Sequence, residues 1–335
     1  MNRWIRWLSL LLAVQVLLTL ALGLFHGGLS AAPPAGKPLV AATDGVDRLT
    51  IEGPDNARVV LQKQAGAWQL PDETDFPADA ARVQQVLQHI GAVKTGAVVS
   101  TTRQARQRFR VADGAFERRV TLAAGGRTVA KFYLGDSSSA HDVHLRRDGE
   151  NAVYDVDLGA WEFPATAADW EDKSVLQIPE EDIRSIEVNG LTLTRAAAPA
   201  ASPSPATGGA PAAAGPAAWR AQGLGKGESL ADAAAATLAQ RIAGLQIGSV
   251  LGSKEDASYG LAKPALQFSV TRTSGRTIDY RLGLIAGSMD YALKSSARDE
   301  YFRLPEAAAK ELIDGAQRQT LAPRAGSAKK QKAPP

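Results

Sequence analysis

The chain has 335 residues, 45% of them apolar and 22% charged, enough for about two domains with real cores, so wholesale disorder is excluded. Its net charge of +3 is carried by the ends, where Arg3, Arg6, Arg324, Lys329, Lys330 and Lys332 outweigh an acidic body, and no nucleic-acid-binding face is implied. The absence of cysteine removes disulfides, thiolate zinc sites, iron–sulfur clusters and cysteine nucleophiles together.

Residues Leu8 to Phe25 run eighteen positions without a charge. As a helix this is about 27 Å at ~1.5 Å per residue, close to the ~30 Å hydrocarbon core. Arg3 and Arg6 precede the run and no Lys or Arg follows until Lys37, so the short amino end is expected to stay cytoplasmic and the rest to be translocated. Trp4 and Trp7 suit the headgroup interface. Residues 1–30 thus read as a cytoplasmic stub and N-terminal transmembrane helix, a single pass in the inner membrane of a Gram-negative cell, with the bulk of the chain periplasmic. A cleaved signal peptide competes, since small residues follow in HGGLSAA, although its apolar region is normally ~7–15 residues long. Residues 31–45 read as a spacer.

From Val46 the same order of features occurs twice, about 150 residues apart. VDRLTIEG at Val46 corresponds to IRSIEVNG at Ile183, VVLQK at Val59 to LTLTR at Leu191, and Trp68 to Trp219. Each copy then has an amphipathic helix, with Ala80, Val83, Val86, Leu87 and Ile90 in the first and Leu230, Leu238, Ile242 and Leu245 in the second. GAVVS and GSVLGS follow, then RFRVADG and SYGLAKP, then the hairpins centred on GGRT at Gly125 and SGRT at Ser274. HDVHLRRDGENAVYDV matches MDYALKSSARDEYFRL, and KSVLQIP at Lys173 is paired with RQTLAP at Arg318. The expected fold class is α+β: two repeated modules, each a β-hairpin, one helix and an antiparallel meander. The alternative is one continuous domain with coincidental strand spacing.

The repeat sets the expected boundaries at 46–177 for the first module and 178–323 for the second. Residues 196–218 contain only small residues and proline, so they read as a disordered insertion. Its counterpart in the first copy is the short QAGA before Trp68, which places the insertion at a hairpin tip. Residues 324–335 read as a disordered basic tail.

Candidates for chemistry are sparse. His141 and His144 frame Asp142, with Asp136 nearby, but on a strand positions three apart point to opposite faces, and the second copy has Met289 and Ala292 there. GLGKGES at Gly223 lacks the P-loop spacing and reads as a turn. Ser137, Ser138 and Ser139 have no nucleophile-elbow motif around them. Asp155 and Asp157 read as a solvated strand face, and Glu180, Glu181 and Asp182 as a charged connector. Arg103, Arg106, Arg108 and Arg110 form a local basic patch, expected to be a solvated loop rather than a ligand site. Trp161, Phe163 and Trp170 form the candidate interaction cluster, either an exposed patch for a partner or saccharide or the packing of a short helix on the first sheet. No catalytic residue, metal ligand or cofactor is assigned.

The apolar run, the paired units, the helix in DAARVQQVLQHIGAV, the segments RFRVADG and SYGLAKP, the strand ends FYLG and YRLG, and DWEDKSVLQIPEEDIRSIEV together resemble domain of unknown function family four-three-four-zero. The resemblance covers roughly 46–323; the chain departs from the pattern in its alanine–proline insertion and in lacking a second Trp170. Proteins of that family are typically encoded beside ABC transporters of the gliding-associated class and their auxiliary membrane subunit. The resemblance therefore implies a noncatalytic, membrane-anchored periplasmic accessory protein, with a transporter membrane or auxiliary subunit as partner. A tethered periplasmic protein that binds a glycan, peptide or lipid is the alternative, and a hydrolase whose site is not visible is a third.

Overall fold

The computed structural model describes Gln15 and residues 36–139, 141–196 and 218–324. The rest of the Leu8–Phe25 run, the insertion at 197–217 and the tail from 325 lie outside the described residues. Among the described residues no helix is long and apolar enough to cross a membrane. The fold is mixed α/β, mostly strand with few helices, in two units that divide between Trp170 and Glu171, ahead of the expected 177/178 junction.

In the first unit β1 (Lys37–Pro38) stands apart from the main sheet. The strands β2 (Arg48–Glu52), β3 (Arg58–Gln64), β4 (Ala67–Leu70) and β5 (Phe76–Pro77) follow as successive hairpins. The tip between β3 and β4 holds Ala65 and Gly66 at φ 48° and 89°, the mirror-image turn that matches strand twist. Helix α1 (Ala80–Ala92) begins where Asp79 accepts the Arg82 amide at 3.0 Å, and it buries Val83, Val86, Leu87 and Ile90. Then come β6 (Lys94–Thr95), which pairs with β1, β7 (Val98–Ser100), helix α2 (Arg103–Arg108) and the small hairpin of β8 (Val111–Ala112) and β9 (Ala115–Phe116). A meander of β10 (Arg118–Ala124), β11 (Arg127–Ser137), β12 (Asp142–Arg147) and β13 (Val153–Asp157) completes the unit. The nine-stranded antiparallel sheet runs β5-β4-β3-β2-β10-β11-β12-β13-β7.

The second unit contains β14 (Ile183–Val188), β15 (Leu191–Arg195), β16 (Trp219–Gln222), helix α3 (Asp232–Ala243), β17 (Ser249–Gly252), β18 (Leu266–Arg272), β19 (Thr277–Leu284), β20 (Tyr291–Ser295) and β21 (Tyr301–Leu304). Its eight-stranded sheet, β16-β15-β14-β18-β19-β20-β21-β17, repeats the order β4-β3-β2-β10-β11-β12-β13-β7 strand for strand. Arg195 pairs with Trp219, and the Ala196 amide donates to Ala218 O at 2.8 Å, so residues 197–217 connect two adjacent strands.

Gly135 ends FYLG and Gly283 ends YRLG. A Cβ at Gly135 would lie 1.8 Å from Phe109 O, and one at Gly283 would lie 2.4 Å from Tyr259 O. Only a strand without a side chain lets the RFRV or SYGL backbone cross so closely. Each crossing segment turns through a left-handed residue, Arg110 at φ 54° and Gly260 at φ 66°.

Three sequence expectations need correction. Helix α3 starts at Asp232, so Leu230 precedes it, and Leu245 is buried beyond its end. Helices α4 (Glu306–Gly315) and α5 (Arg318–Leu321) were not anticipated; they pack against α3 through Ala309, Leu312 and Leu321. The pairing of KSVLQIP with RQTLAP is also shifted. The Asp79 amide ahead of α1 donates to Trp170 O at 2.8 Å, and the Ala231 amide ahead of α3 donates to Leu321 O at 2.8 Å. Leu321 therefore stands where Trp170 does, not where Leu176 does.

Candidate functional site

Period-two alternation divides the first sheet into two faces. Val120, Leu122, Phe132, Leu134, Val143, Leu145 and Val156 belong to the core shared with α1, so the residues between them point the other way. Register then aligns Glu52, Arg119, Tyr133, Arg146 and Val153 directly across five neighbouring strands. Val111, Tyr133 and Val153, with Phe109 and Phe116 against them, cover part of this outer face. Beside them opens a cleft of 720 Å³, lined from the sheet by Arg119, Lys131, Tyr133 and Arg146 and from the flanking segments by Arg103, Arg106, Gln107, Asp113 and Asn151.

The floor is an ion-paired network. Arg146 is 4% exposed; its Nε donates to Val111 O at 2.6 Å, its Nη1 to Glu150 O at 3.1 Å, and its Nη2 to the Asp113 carboxylate. Its guanidinium lies 4.3 Å from the Tyr133 ring centroid. The Tyr133 hydroxyl donates to Asp148 Oδ1 at 2.9 Å, and Lys131 Nζ lies 3.2 Å from the same oxygen. Arg119 forms a two-pronged pair with Glu52. The Arg146 hydrogen bond holds Asp113 below the usual carboxylate range, and the Arg119 hydrogen bond does the same for Glu52. Burial would lift Asp148, but Tyr133 and Lys131 outweigh it and hold it low; burial would lower Lys131, but its bonds to Asp148 and Tyr133 keep it raised. Burial, and then the bond to Asp148, push the Tyr133 phenol up. These directions keep the three carboxylates and Lys131 charged, and the Tyr133 phenol uncharged, near neutral pH.

The arginine run is not a loop. Thr102 accepts the Ala105 amide at 3.1 Å and starts α2, which separates the four side chains. Arg103 and Arg106 line the cleft, Arg108 lies 5.8 Å over the Phe109 ring, and Arg110 pairs with Glu117 at 2.6 Å. Arg106 donates to the neutral Asn151 Oδ1, and the Arg103 side chain makes no hydrogen bond or ion pair among the described residues.

The aromatic cluster is also divided. Phe163 and Trp170 are fully buried in the first core, whereas Trp161 is 80% exposed. Trp161 lines a second hollow of 480 Å³ with Gln85, His89, His141, Asp142 and Asp157. Glu162 fixes this rim by accepting the Gly159 amide at 2.6 Å and pairing with His89 Nδ1 at 2.7 Å. The indole nitrogen would lie 2.0 Å from a Cβ at Gly159, so the ring rests over that glycine.

The family profile Domain of unknown function (DUF4340) matches residues 68–264, more than half of the chain and across both units. The chain belongs to the DUF4340 family. No curated protein and no solved structure matches it.

The remaining sequence candidates of this DUF4340 chain fall as follows. His144 is buried, stacked on Phe109 at 4.0 Å between centroids, with Nδ1 3.2 Å from Asp136 and Nε2 3.5 Å from Asp155, while His141 is exposed. Among the described residues no group of three or more His, Asp or Glu is placed to hold a metal ion. In GLGKGES the Gly225 amide donates to the loop's own Glu228 at 2.7 Å, and Glu228 is clamped by Arg318, whose Nη2 also donates to Gly223 O at 2.6 Å. That turn already holds an internal carboxylate. Sequence reading missed Arg119, Lys131, Tyr133 and Arg146 as site residues. Their signal was available as polar residues at alternate positions of strands whose other face is apolar.

Proposed function

We propose that this protein is a noncatalytic accessory protein of the Gram-negative inner membrane, anchored by Leu8–Phe25, whose periplasmic units dock on the membrane or auxiliary subunit of an ABC transporter. The observation that carries the noncatalytic part is the outer-face network, in which Arg119, Lys131 and Arg146 are each held against a carboxylate, Glu52, Asp148 and Asp113. Such a surface presents fixed charges to a partner. Eleven residues, 26–36, separate the apolar run from the first described strand, which begins at Lys37. Fully extended they reach about 40 Å, which keeps the first unit near a membrane-embedded partner and raises its effective concentration there. In-cell photocrosslinking of the full chain from Trp161, Val98, Leu284 and Met289, all exposed, tests this. Capture of a transporter membrane or auxiliary subunit is the expected result, with much less from the apolar run alone. Repeated absence of any transporter component in cells expressing it overturns the reading.

A second reading, a ligand-binding protein held at the membrane by the same anchor, is supported by the 720 Å³ cleft with its convergent polar groups. Saturable binding of a small ligand to the full-length chain tests it, and a panel of glycans, peptides and lipid headgroups without a single binder overturns it.

A further inference from the structure

We propose that the cleft of the first unit binds a phosphorylated polyol, its phosphoryl group held by Arg103 and Arg106. The assignment names a ligand class for the second reading above and rests on it. It begins with charge. Arg119, Lys131 and Arg146 each have a carboxylate partner, in Glu52, Asp148 and Asp113. Glu150 is matched by Arg147 at 3.7 Å. Among the described residues, Arg103 and Arg106 are the cleft-lining cations without a carboxylate partner, so two guanidiniums remain to be neutralised.

Spacing narrows the anion. The two arginines are three apart on one helix, so their Cβ atoms are about 5–6 Å apart on one face. Two guanidinium forks at that separation embrace a tetrahedral group with several oxygens, whereas one planar carboxylate fills one fork. A phosphomonoester, carrying about −1.5 to −2 at pH 7, matches the charge of the pair, and a phosphodiester headgroup offsets one of its two charges. The 720 Å³ cleft is larger than a phosphoryl group needs, and Asp113, Glu150 and Asn151 supply acceptors along it. Those acceptors suit the hydroxyls of a polyol. In the second unit SKEDASYG replaces the arginine helix, with Lys254, Glu255 and Asp256 in the segment, so the same scaffold there lacks the pair.

The phosphoryl polyol has two possible sources, a soluble phosphate ester or a phosphoglycerol lipid headgroup. Titration calorimetry on full-length protein in detergent, with sn-glycerol 3-phosphate, dihexanoyl phosphatidylglycerol and glycerol, separates them. Saturable binding of at least one phosphoryl probe is expected, weakening with salt. Tighter binding of the lipid assigns the headgroup, and tighter binding of the ester assigns the soluble source. The double variant Arg103→Ala/Arg106→Ala should weaken it about tenfold or more, and Arg103→Lys/Arg106→Lys should restore part of the loss. Arg281→Ala in the second unit should change nothing. Unchanged circular dichroism for each variant keeps folding out of the comparison. Glycerol binding as tightly as its phosphate, or binding indifferent to Arg103 and Arg106, overturns the phosphoryl assignment and leaves the ligand-binding reading standing. Failure of every probe, together with neutral glycans and peptides, removes both.

Discussion

Across the outer face of the first sheet the row Glu52, Arg119, Tyr133, Arg146 and Val153 forms a charged floor, while Gln267, Arg281, Lys294 and Tyr301 stand in register on β18 to β21 of the second. In the second unit Lys294 donates to Arg298 O at 2.8 Å and Asp299 O at 2.7 Å and lies 4.6 Å over the Tyr301 ring, so its ammonium is satisfied within its own hairpin. In the first unit the flanking helix adds Arg103 and Arg106, which have no carboxylate partner among the described residues. The strand order of both sheets depends on inner-face alternation, tight turns and the two strand-ending glycines, and the outer face is not under those constraints. Two surfaces of different chemistry can therefore stand on one scaffold. The two units share one strand order and differ in the chemistry of their outer faces.

That comparison can be strained first at the cores. Trp170→Ala empties a fully buried indole site and should destabilise the first unit by ~3–5 kcal/mol. Leu321→Ala at the corresponding place should cost the second unit ~2–5 kcal/mol. Hydrogen exchange resolved by unit is the measurement, and loss of protection confined to the mutated unit is expected. Equal loss in both units would show that they do not fold separately.

Gly135→Ala and Gly283→Ala test the shared crossing. Each new methyl would meet a backbone carbonyl that cannot move cheaply, so a loss of about 1–3 kcal/mol is expected at both sites by thermal or urea unfolding. A neutral result at one glycine alone would show that the crossings are not equivalent.

A smaller and pH-dependent effect belongs to the second unit alone. The Arg318 guanidinium, and then the Gly225 amide, hold Glu228 at about 2, below its ordinary 4.5. Because the folded value is depressed, the pair's stabilisation is complete above 4.5 and disappears as pH falls through about 2. Glu228→Gln should lower the melting temperature near neutral pH and flatten its decline in that acid window. Identical melting curves for the variant and the native chain across the window would remove the pair from the stability account.

The smallest effect is expected from replacing residues 197–217 by the QAGA turn that joins β3 to β4. Ala196 and Ala218 already meet across the gap, so the melting temperature should be nearly unchanged. A loss of the size expected for Leu321→Ala would mean that the insertion packs on the fold.

Much of the fold was legible in the residues because its signals are local. Alternation marked the strands, the Asp79 cap and the Val83–Ile90 spacing marked α1, and the turn residues marked the hairpins. Helix α4 escaped because its buried side includes Ala309 and Gly315, which offer little hydrophobic contrast beside Leu312. The division of the aromatic cluster was not legible either, since burying Phe163 and Trp170 while exposing Trp161 depends on where α1 and the sheet leave space. The cleft was decided wholly by tertiary structure. Composition and periodicity show that Arg119, Tyr133 and Arg146 turn away from the core, but only the register places them opposite one another. Only the crossing of RFRV over Gly135 brings Arg103 and Arg106 to that row, because a contact between residues so far apart in the chain is set by strand pairing and backbone packing, which no local pattern encodes.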